Sequence, residues 1–271
     1  MCRLFGVSRS GFYEWRKASP GRNQRNYNLL RTIEKIHQGS QGAYGSPRIW
    51  RMVKALGFVV GKRKVEKIMK ENSIQGKKRR RFIRTTDSNH NLAISPNLVD
   101  RKFDRQAPNQ VWLSDITYLR TQAGWVYLAT VMDGHTRKIL GWSLADHMRT
   151  ELVTGALKMA LGRGNPPKGL LIHSDRGSQY ASEDYRVLIA KNGLIQSMSR
   201  KGNCWDNAPM ESFFDSLKTE HVYHEQYEDL KNAKAKIFQW IEVFYNRERI
   251  HSSLGYLSPS CFEARNLAKA A

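Results

Sequence analysis

The run VWLSDITYL, residues 111–119, is rich in β-branched and aromatic side chains and reads as a strand, yet Asp115 stands at its middle. Aspartate is depleted in strands, because its short polar side chain competes with the backbone and resists burial. An ionised carboxylate at such a position calls for a compensating partner, and a bound metal ion is one such partner. An edge-strand aspartate facing water is the plainer alternative. Outward from this strand, Trp125 to Met132 and Lys138 to Leu144 read as two more strands. The short turns at Ala123-Gly124 and Gly134 to Arg137 imply antiparallel pairing.

The pattern then alternates. Thr150 to Leu161 reads as a helix, and Gly169 to Ile172 as a fourth strand whose unbroken apolar run suits a buried central position. Ser182 to Lys191 is a helix, Leu194 to Met198 a fifth strand, and Ala208 to about Val222 another helix. Three antiparallel strands followed by helix, strand, helix, strand and helix is the order of an α/β, ribonuclease-H-like core. Such an order speaks for a fold, and function has to be argued from a site.

Before Pro108 the chain has a different character. Of its 271 residues, the first 105 hold 25 Lys and Arg against 7 Asp and Glu, whereas the remaining 166 hold 20 against 17. Most of the net charge of +21 therefore lies in front. An anionic polymer is the natural partner of such a surface, since each neutralised phosphate releases counterions. Leu29, Leu30, Ile33 and Ile36 recur at helical spacing within Asn26 to His37. Pro47 opens a second apolar-faced helix with Ile49, Met52, Val53 and Leu56, ended by Gly57. A third carries Val65, Ile68 and Met69 among Lys62, Arg63, Lys64, Lys67 and Lys70. Helix, glycine-marked turn and basic helix outline an all-α helix-turn-helix region, the alternative being a small bundle with a solvated basic face.

Four segments follow: a partial DNA-binding remnant at 1–20, a helix-turn-helix-like region at 26–75, a basic linker at 76–106 and the α/β catalytic domain at 107–264. Ser8 to Lys17 reads as the last helix of a unit whose beginning is missing. KKRRRFIR, residues 77–84, reads as a tether that tracks phosphates. Candidate DNA contacts are Arg48, Lys62, Arg63, Lys64, Lys67, Lys77, Lys78, Arg79, Arg80 and Arg81. No stretch approaches ~18 apolar residues, so no membrane span is expected, and the N-terminus has no secretory apolar region. Cys2, Cys204 and Cys261 are far apart, which leaves no disulfide framework or CxxC zinc signature and points to a reducing cytoplasm.

Two further acids bear on Asp115. Asp175 ends the apolar run GLLIHS and opens the loop RGSQY, at a rigid strand's open end where catalytic groups often sit. A turn-forming aspartate beside Gly177 is the alternative. Glu211 lies in the first turns of a helix announced by Asn207 and Pro209, where capping and the macrodipole favour acids without any chemistry. Together the three put carboxylates on two central strands and a helix over them. Magnesium takes hard oxygen ligands, and two-metal phosphoryl transfer needs carboxylates converging from separate elements. Asp133, followed by Gly134, reads as a turn residue, and Asp215 as an outer neighbour of Glu211. Lys218 lies two turns past Glu211 on the same helical face, placed either to hold a DNA end or simply to be solvated.

These residues also carry a resemblance. WLSDITYL at 112–119, HSDRGSQY at 173–180 and NAPMESFFDSLKTE at 207–220 resemble the DDE motif of retroviral integrases and related transposases. Thirty-five residues separate Asp175 from Glu211, the spacing typical of that group. GWVYLATVMDGHTRKILGW at 124–142 and YNRERIHSSLGYLSP at 245–259 are similar to bacterial insertion-sequence transposases of the IS-three group, in particular the product of the "B" reading frame. The resemblance covers nearly the whole chain.

It implies a DNA transposase that cleaves and joins strands at the ends of a mobile element through a two-metal mechanism. Asp115, Asp175 and Glu211 would hold Mg2+ or Mn2+, in all two ions, and Lys218 would contact the DNA end. The implied partners are double-stranded DNA, at terminal inverted repeats and target, and further copies of the chain on it. The setting would be a bacterial cytoplasm, at the nucleoid. Members usually join an upstream "A" frame with its own helix-turn-helix and leucine zipper, so an A-frame protein or fusion is a further expected partner. Two other readings stay open: a non-catalytic truncated frame acting as a DNA-binding repressor, and a ribonuclease-H-like nuclease.

Overall fold

The structure, a computed structural model, describes residues 2, 4–78, 92–103, 106–200 and 204–270. It falls into two units, Met1–Lys77 and Lys78–Ala271. In the first, α1 (Arg9–Gly39) begins at Ser8, whose hydroxyl accepts from the Gly11 amide. Ser8 to Lys17 and Asn26 to His37, separate in the sequence reading, belong to this single helix. Pro20 and Gly21 lie inside it, and their low helix propensity hides the continuity from periodicity.

Two shorter helices, α2 (Ser46–Ala55) and α3 (Lys62–Glu71), complete the unit. Leu29, Ile33, Ile49, Val53, Val65, Ile68 and Met69 are buried between the three. The indole of Trp50 donates to the Val60 carbonyl at 2.9 Å, which holds the turn that Gly57 opens at φ 89°. At its end the chain folds back: Gly76 presses on the Gly45 backbone with no room for a Cβ, and the Lys77 amide donates to the Gly42 carbonyl.

The second unit is built on a five-stranded sheet of order β3-β2-β1-β4-β5. β1 (Val111–Thr121), β2 (Gly124–Asp133) and β3 (Ile139–Ala145) form an antiparallel meander, as their short turns require. β4 (Leu171–Ser174) runs parallel to β1, and β5 (Ile195–Met198) parallel to β4. Parallel neighbours need crossovers. These contain α4 (Thr150–Gly164) before β4, then the single turn α5 (Ser178–Ala181) and α6 (Glu183–Lys191) before β5.

Gly141 on β3 touches the α4 backbone at Ala156 and Ala160, so the helix lies directly on the sheet. Leu152, Val153, Ala156, Leu157 and Ala160 thereby enter one core with Trp112, Ala129 and Val131. After β5 comes α7 (Ala208–Glu220). Beyond it, α8 (Leu230–Phe238) runs on as a wider π-helical segment, Gln239–Glu248, and α9 (Pro259–Ala270) closes the described chain. Phe213 of α7 packs against Trp240 and Tyr245 of the π-helical segment, with ring centroids 5.8 and 4.8 Å apart. Among the described residues no helix is long and apolar enough to cross a membrane.

Candidate active site

β1 and β4 are paired only over Val111 to Leu113, with Leu113 opposite His173. Two residues beyond that last pair come Asp115, still within β1, and Asp175, one residue past the end of β4. Asp115 and Asp175 thus both follow the last paired residues, where the two strands part, and lie close enough for the charge of Asp175 to act on Asp115. Asp115 is half-buried, and burial pushes its carboxyl well above the ordinary aspartate range. The charge of Asp175 adds to that push and Glu211 adds a further part, while the Ile116 amide and Lys218 oppose it. Burial and two like-charged neighbours thus outweigh Lys218 and disfavour the ionised form of Asp115.

The Asp175 carboxylate also accepts from the Gly177 amide at 2.9 Å, so its turn role and its place beside Asp115 coexist. Glu211 is exposed in the first turn of α7. The foot of that helix is tied to both strands. Asn207 Nδ2 donates to the Ser114 carbonyl at 3.2 Å, next to Asp115. The His173 ring meets the Asp206 carbonyl at 2.9 Å and the Ser197 and Ser199 hydroxyls at 2.8 and 3.1 Å. Asp206 is wholly buried, receiving Arg200, Arg101 and Asn97. The Arg200 guanidinium outweighs burial and holds the Asp206 carboxyl well below the usual range.

Lys218 is nearly buried at the far end of α7, its Nζ 4.7 Å from the Tyr118 ring centroid. Burial lowers its pKa, and the charge of Asp115 works against that shift. It stands on the acidic site rather than on an open helix face. Asp133 caps the β2–β3 turn, accepting from the amides of Asn109, His135 and Thr136. Behind Asp115, the Ser114 hydroxyl pairs with the Thr130 carbonyl and the Tyr180 hydroxyl.

The fit of these residues to a metal follows from their chemistry. Among the described residues, no three His, Cys, Asp or Glu side chains are gathered tightly enough to grip an ion as they lie. The donors are nonetheless all hard carboxylate oxygens, two of them where β1 and β4 part, with a third on the flexible arm of an exposed glutamate. They suit Mg2+ or Mn2+ better than a soft metal. Sequence reasoning passed over His173, counted Asp206 only as a nearby acid and took Asn207 only as the start of a helix; none of the three carries a reacting group, but together they locate the helix bearing Glu211. His173 and Asn207 lie inside the quoted motifs, two residues before Asp175 and four before Glu211.

The basic candidates lie elsewhere. Lys62, Arg63, Lys64 and Lys67 are exposed on α3 of the first unit, where Lys62 and Lys67 pair with Glu66 and Glu71 at 3.4 and 3.7 Å. Arg48 lies over the Tyr44 ring at 5.5 Å. Lys77 and Lys78 end the first unit and begin the second. Arg79, Arg80 and Arg81 fall outside the described residues.

Comparison with known proteins gives the family of the chain. The Integrase core domain family matches residues 105–204 and again 192–259, and an HTH-like domain family matches 24–82. The transposase InsF for insertion sequence IS3A of Escherichia coli K12 is 40% identical over 271 residues, covering 99% of this chain and 94% of its own. The chain belongs to the IS3 family of transposases. A 31 kDa insertion element IS600 protein of Shigella sonnei is 45% identical over 266 residues, 98% of each chain. In fold, this IS3-family chain is similar to a chain of the simian T-cell lymphotropic virus intasome, solved by cryo-EM with a PP2A regulatory subunit. That match has TM-score 0.50 at 13% identity, over 86% of this chain and 74% of the other. The chain is therefore a DNA transposase with a DNA-binding helix-turn-helix-like region and a ribonuclease-H-like integrase core.

Proposed function

We propose that Asp115, Asp175 and Glu211 are the metal ligands of this transposase, holding two Mg2+ or Mn2+ ions. The reading is supported by one observation: Asp115 and Asp175 both lie just past the last paired residues of β1 and β4, and the charges of Asp175 and Glu211 both bear on Asp115. Bound divalent ions would supply activation of the attacking oxygen and stabilisation of the leaving oxygen. The chain's own residues do the rest. Asp115 within β1 and Asp175 just past the end of β4 set the position of the reacting phosphodiester. Glu211 closes the ligand set from the helix, and Lys218 holds a phosphate of the DNA end beside it. In strand transfer the 3′-hydroxyl oxygen of a donor strand forms a new P–O bond, and the old 3′-oxygen leaves.

The substrate would be paired ends of a mobile insertion sequence, handled by several copies of the chain. The exposed bases of α3, the run from Lys77 to Arg81 and Arg48 would hold flanking duplex, with 76–106 as a tether. An upstream A-frame protein or fusion would add end recognition, in a bacterial cytoplasm at the nucleoid. Strand transfer with oligonucleotides bearing the element's ends tests the assignment. Asp115→Asn and Glu211→Gln should each lower joining by more than about 100-fold, while DNA affinity stays within about twofold. Unchanged joining in either variant would remove that residue from the ligand set, and a parent chain that binds ends without cutting them would be a repressor.

A further inference from the structure

Lys218 belongs to a second feature besides the acidic site. It lines a cleft of about 680 Å³ together with Tyr118, Arg120, Trp125, Tyr223 and Tyr227. The walls are set by backbone pairing. Trp125 stands opposite Arg120 across the β1–β2 hairpin, and the amides of Gln122 and Ala123 donate to the carbonyls of Tyr227 and Glu228 at 2.8 and 3.1 Å. Trp125 is 48% exposed. Tyr118 meets its indole edge-on at 5.2 Å between centroids, and the Arg120 guanidinium lies 5.1 Å from the same ring.

A single exposed tryptophan would call for no account. Here an indole, a phenol ring, a guanidinium plane and an ammonium share one cleft, and the ammonium also faces Asp115. Bases stack on aromatic rings and on guanidinium planes, while lysine and arginine take the adjoining phosphates. The acid lining the cleft, Glu225, is paired with Lys236 Nζ at 2.7 Å, which blunts its repulsion of a phosphate. An apolar peptide would match the rings but bring no anion toward Lys218 and Arg120. A nucleotide matches both.

We propose that this cleft takes an unstacked base of the DNA strand whose phosphodiester lies at Asp115, with Trp125 as the stacking surface. The inference rests on the reading of the three carboxylates as the reacting centre, and adds to it a base-holding subsite. The test uses the full chain without metal and two single-stranded probes. One is a ten-residue oligodeoxythymidylate, the other an abasic strand of the same length and charge. The basic residues bind both alike, so their contribution cancels in the ratio of the two affinities. The parent chain should prefer the base-bearing strand by about tenfold, Trp125→Ala should bring the ratio close to one, and Trp125→Phe should keep most of it. Lys218→Gln should weaken both probes and leave the ratio as it was.

A ratio near one in the parent, or a ratio unchanged by Trp125→Ala, overturns the proposal. Because Trp125 is half in water, the alanine variant should melt with the parent, and a thermal scan checks that. Failure of the carboxylate reading looks different: Asp115→Asn would then still join strands, whatever Trp125 does to the ratio.

Discussion

His173 is wholly buried two residues before Asp175, its ring bonded to two serine hydroxyls and the Asp206 carbonyl. Burial pushes its pKa down to about 4, so the folded protein keeps it neutral where an unfolded histidine titrates near 6.5. With the folded value the lower one, its contribution to stability is whole above pH ~6.5 and drains away as the pH falls toward 4, by up to about 3 kcal/mol. Denaturant titrations across that window should show the decline, and His173→Gln should flatten it; an equally steep decline in the variant would assign it to other groups. Asp115 has the opposite sign. Its folded carboxyl is raised by burial and then by Asp175, so its charge is a cost at neutral pH that is relieved as the pH falls. Asparagine removes the charge and can still accept from the Ile116 amide. Metal-free Asp115→Asn should therefore melt with the parent or above it. Saturating Mg2+ should raise the melting temperature of the parent alone, and chelation should reverse the rise. A variant several degrees less stable without metal would make Asp115 a structural residue.

At the scale of elements, α7 decides where Glu211 and Lys218 stand, and its far end is held by a buried ion pair. Arg249 donates to both Glu220 oxygens at 2.6 Å and to the Ser216 hydroxyl at 3.0 Å, with only 3% and 7% of the paired side chains exposed. Arg249→Met leaves Glu220 buried without its partner and should cost about 3–5 kcal/mol, whereas the double change with Glu220→Met should recover most of it. Urea denaturation of the three proteins measures this, and a double variant as unstable as the single one would show that the pair's shape matters more than its charge. This pair also marks a limit of sequence reading. An arginine and a glutamate 29 residues apart look like surface residues until a fold buries them together. The strands bearing Asp115 and Asp175 were legible because a short apolar run that ends on or encloses a single aspartate fits a strand far better than a loop or a helix. α7 was legible because Asn207 and Pro209 announce it. The long α1 was not, since Pro20 and Gly21 interrupt its propensity. Nor was the π-helical segment Gln239–Glu248, whose wider turn departs from the 3.6-residue period that such reading looks for. That Asp115 and Asp175 are neighbours lay beyond both signals, because it depends on the register of β1 against β4.

Across the whole molecule the charge is divided unequally: 17 Lys and Arg against 4 Asp and Glu up to Lys77, and 28 against 20 from Lys78 onward. A unit this basic should supply much of the salt dependence of DNA binding, because each phosphate contact steepens the plot of log affinity against log salt by about 0.9. The cations of α3 are not equivalent in this respect. Lys62 and Lys67 already face Glu66 and Glu71 one turn along, so part of their charge is spent within the helix. No ion pair within α3 is described for Arg63 and Lys64, both exposed, so their charge is the more available to phosphates. Replacing Arg63 and Lys64 by glutamine should flatten the slope by about 1.8, the share of two phosphate contacts. Replacing Lys62 and Lys67 should flatten it less, even though the net charge lost is the same, and the two freed glutamates should weaken binding at every salt concentration. Fluorescence anisotropy with one duplex between about 50 and 300 mM salt separates these outcomes. Equal flattening by the two pairs would mean that the helix presents a uniform cloud of charge, and no flattening by Arg63 and Lys64 would take α3 off the DNA surface.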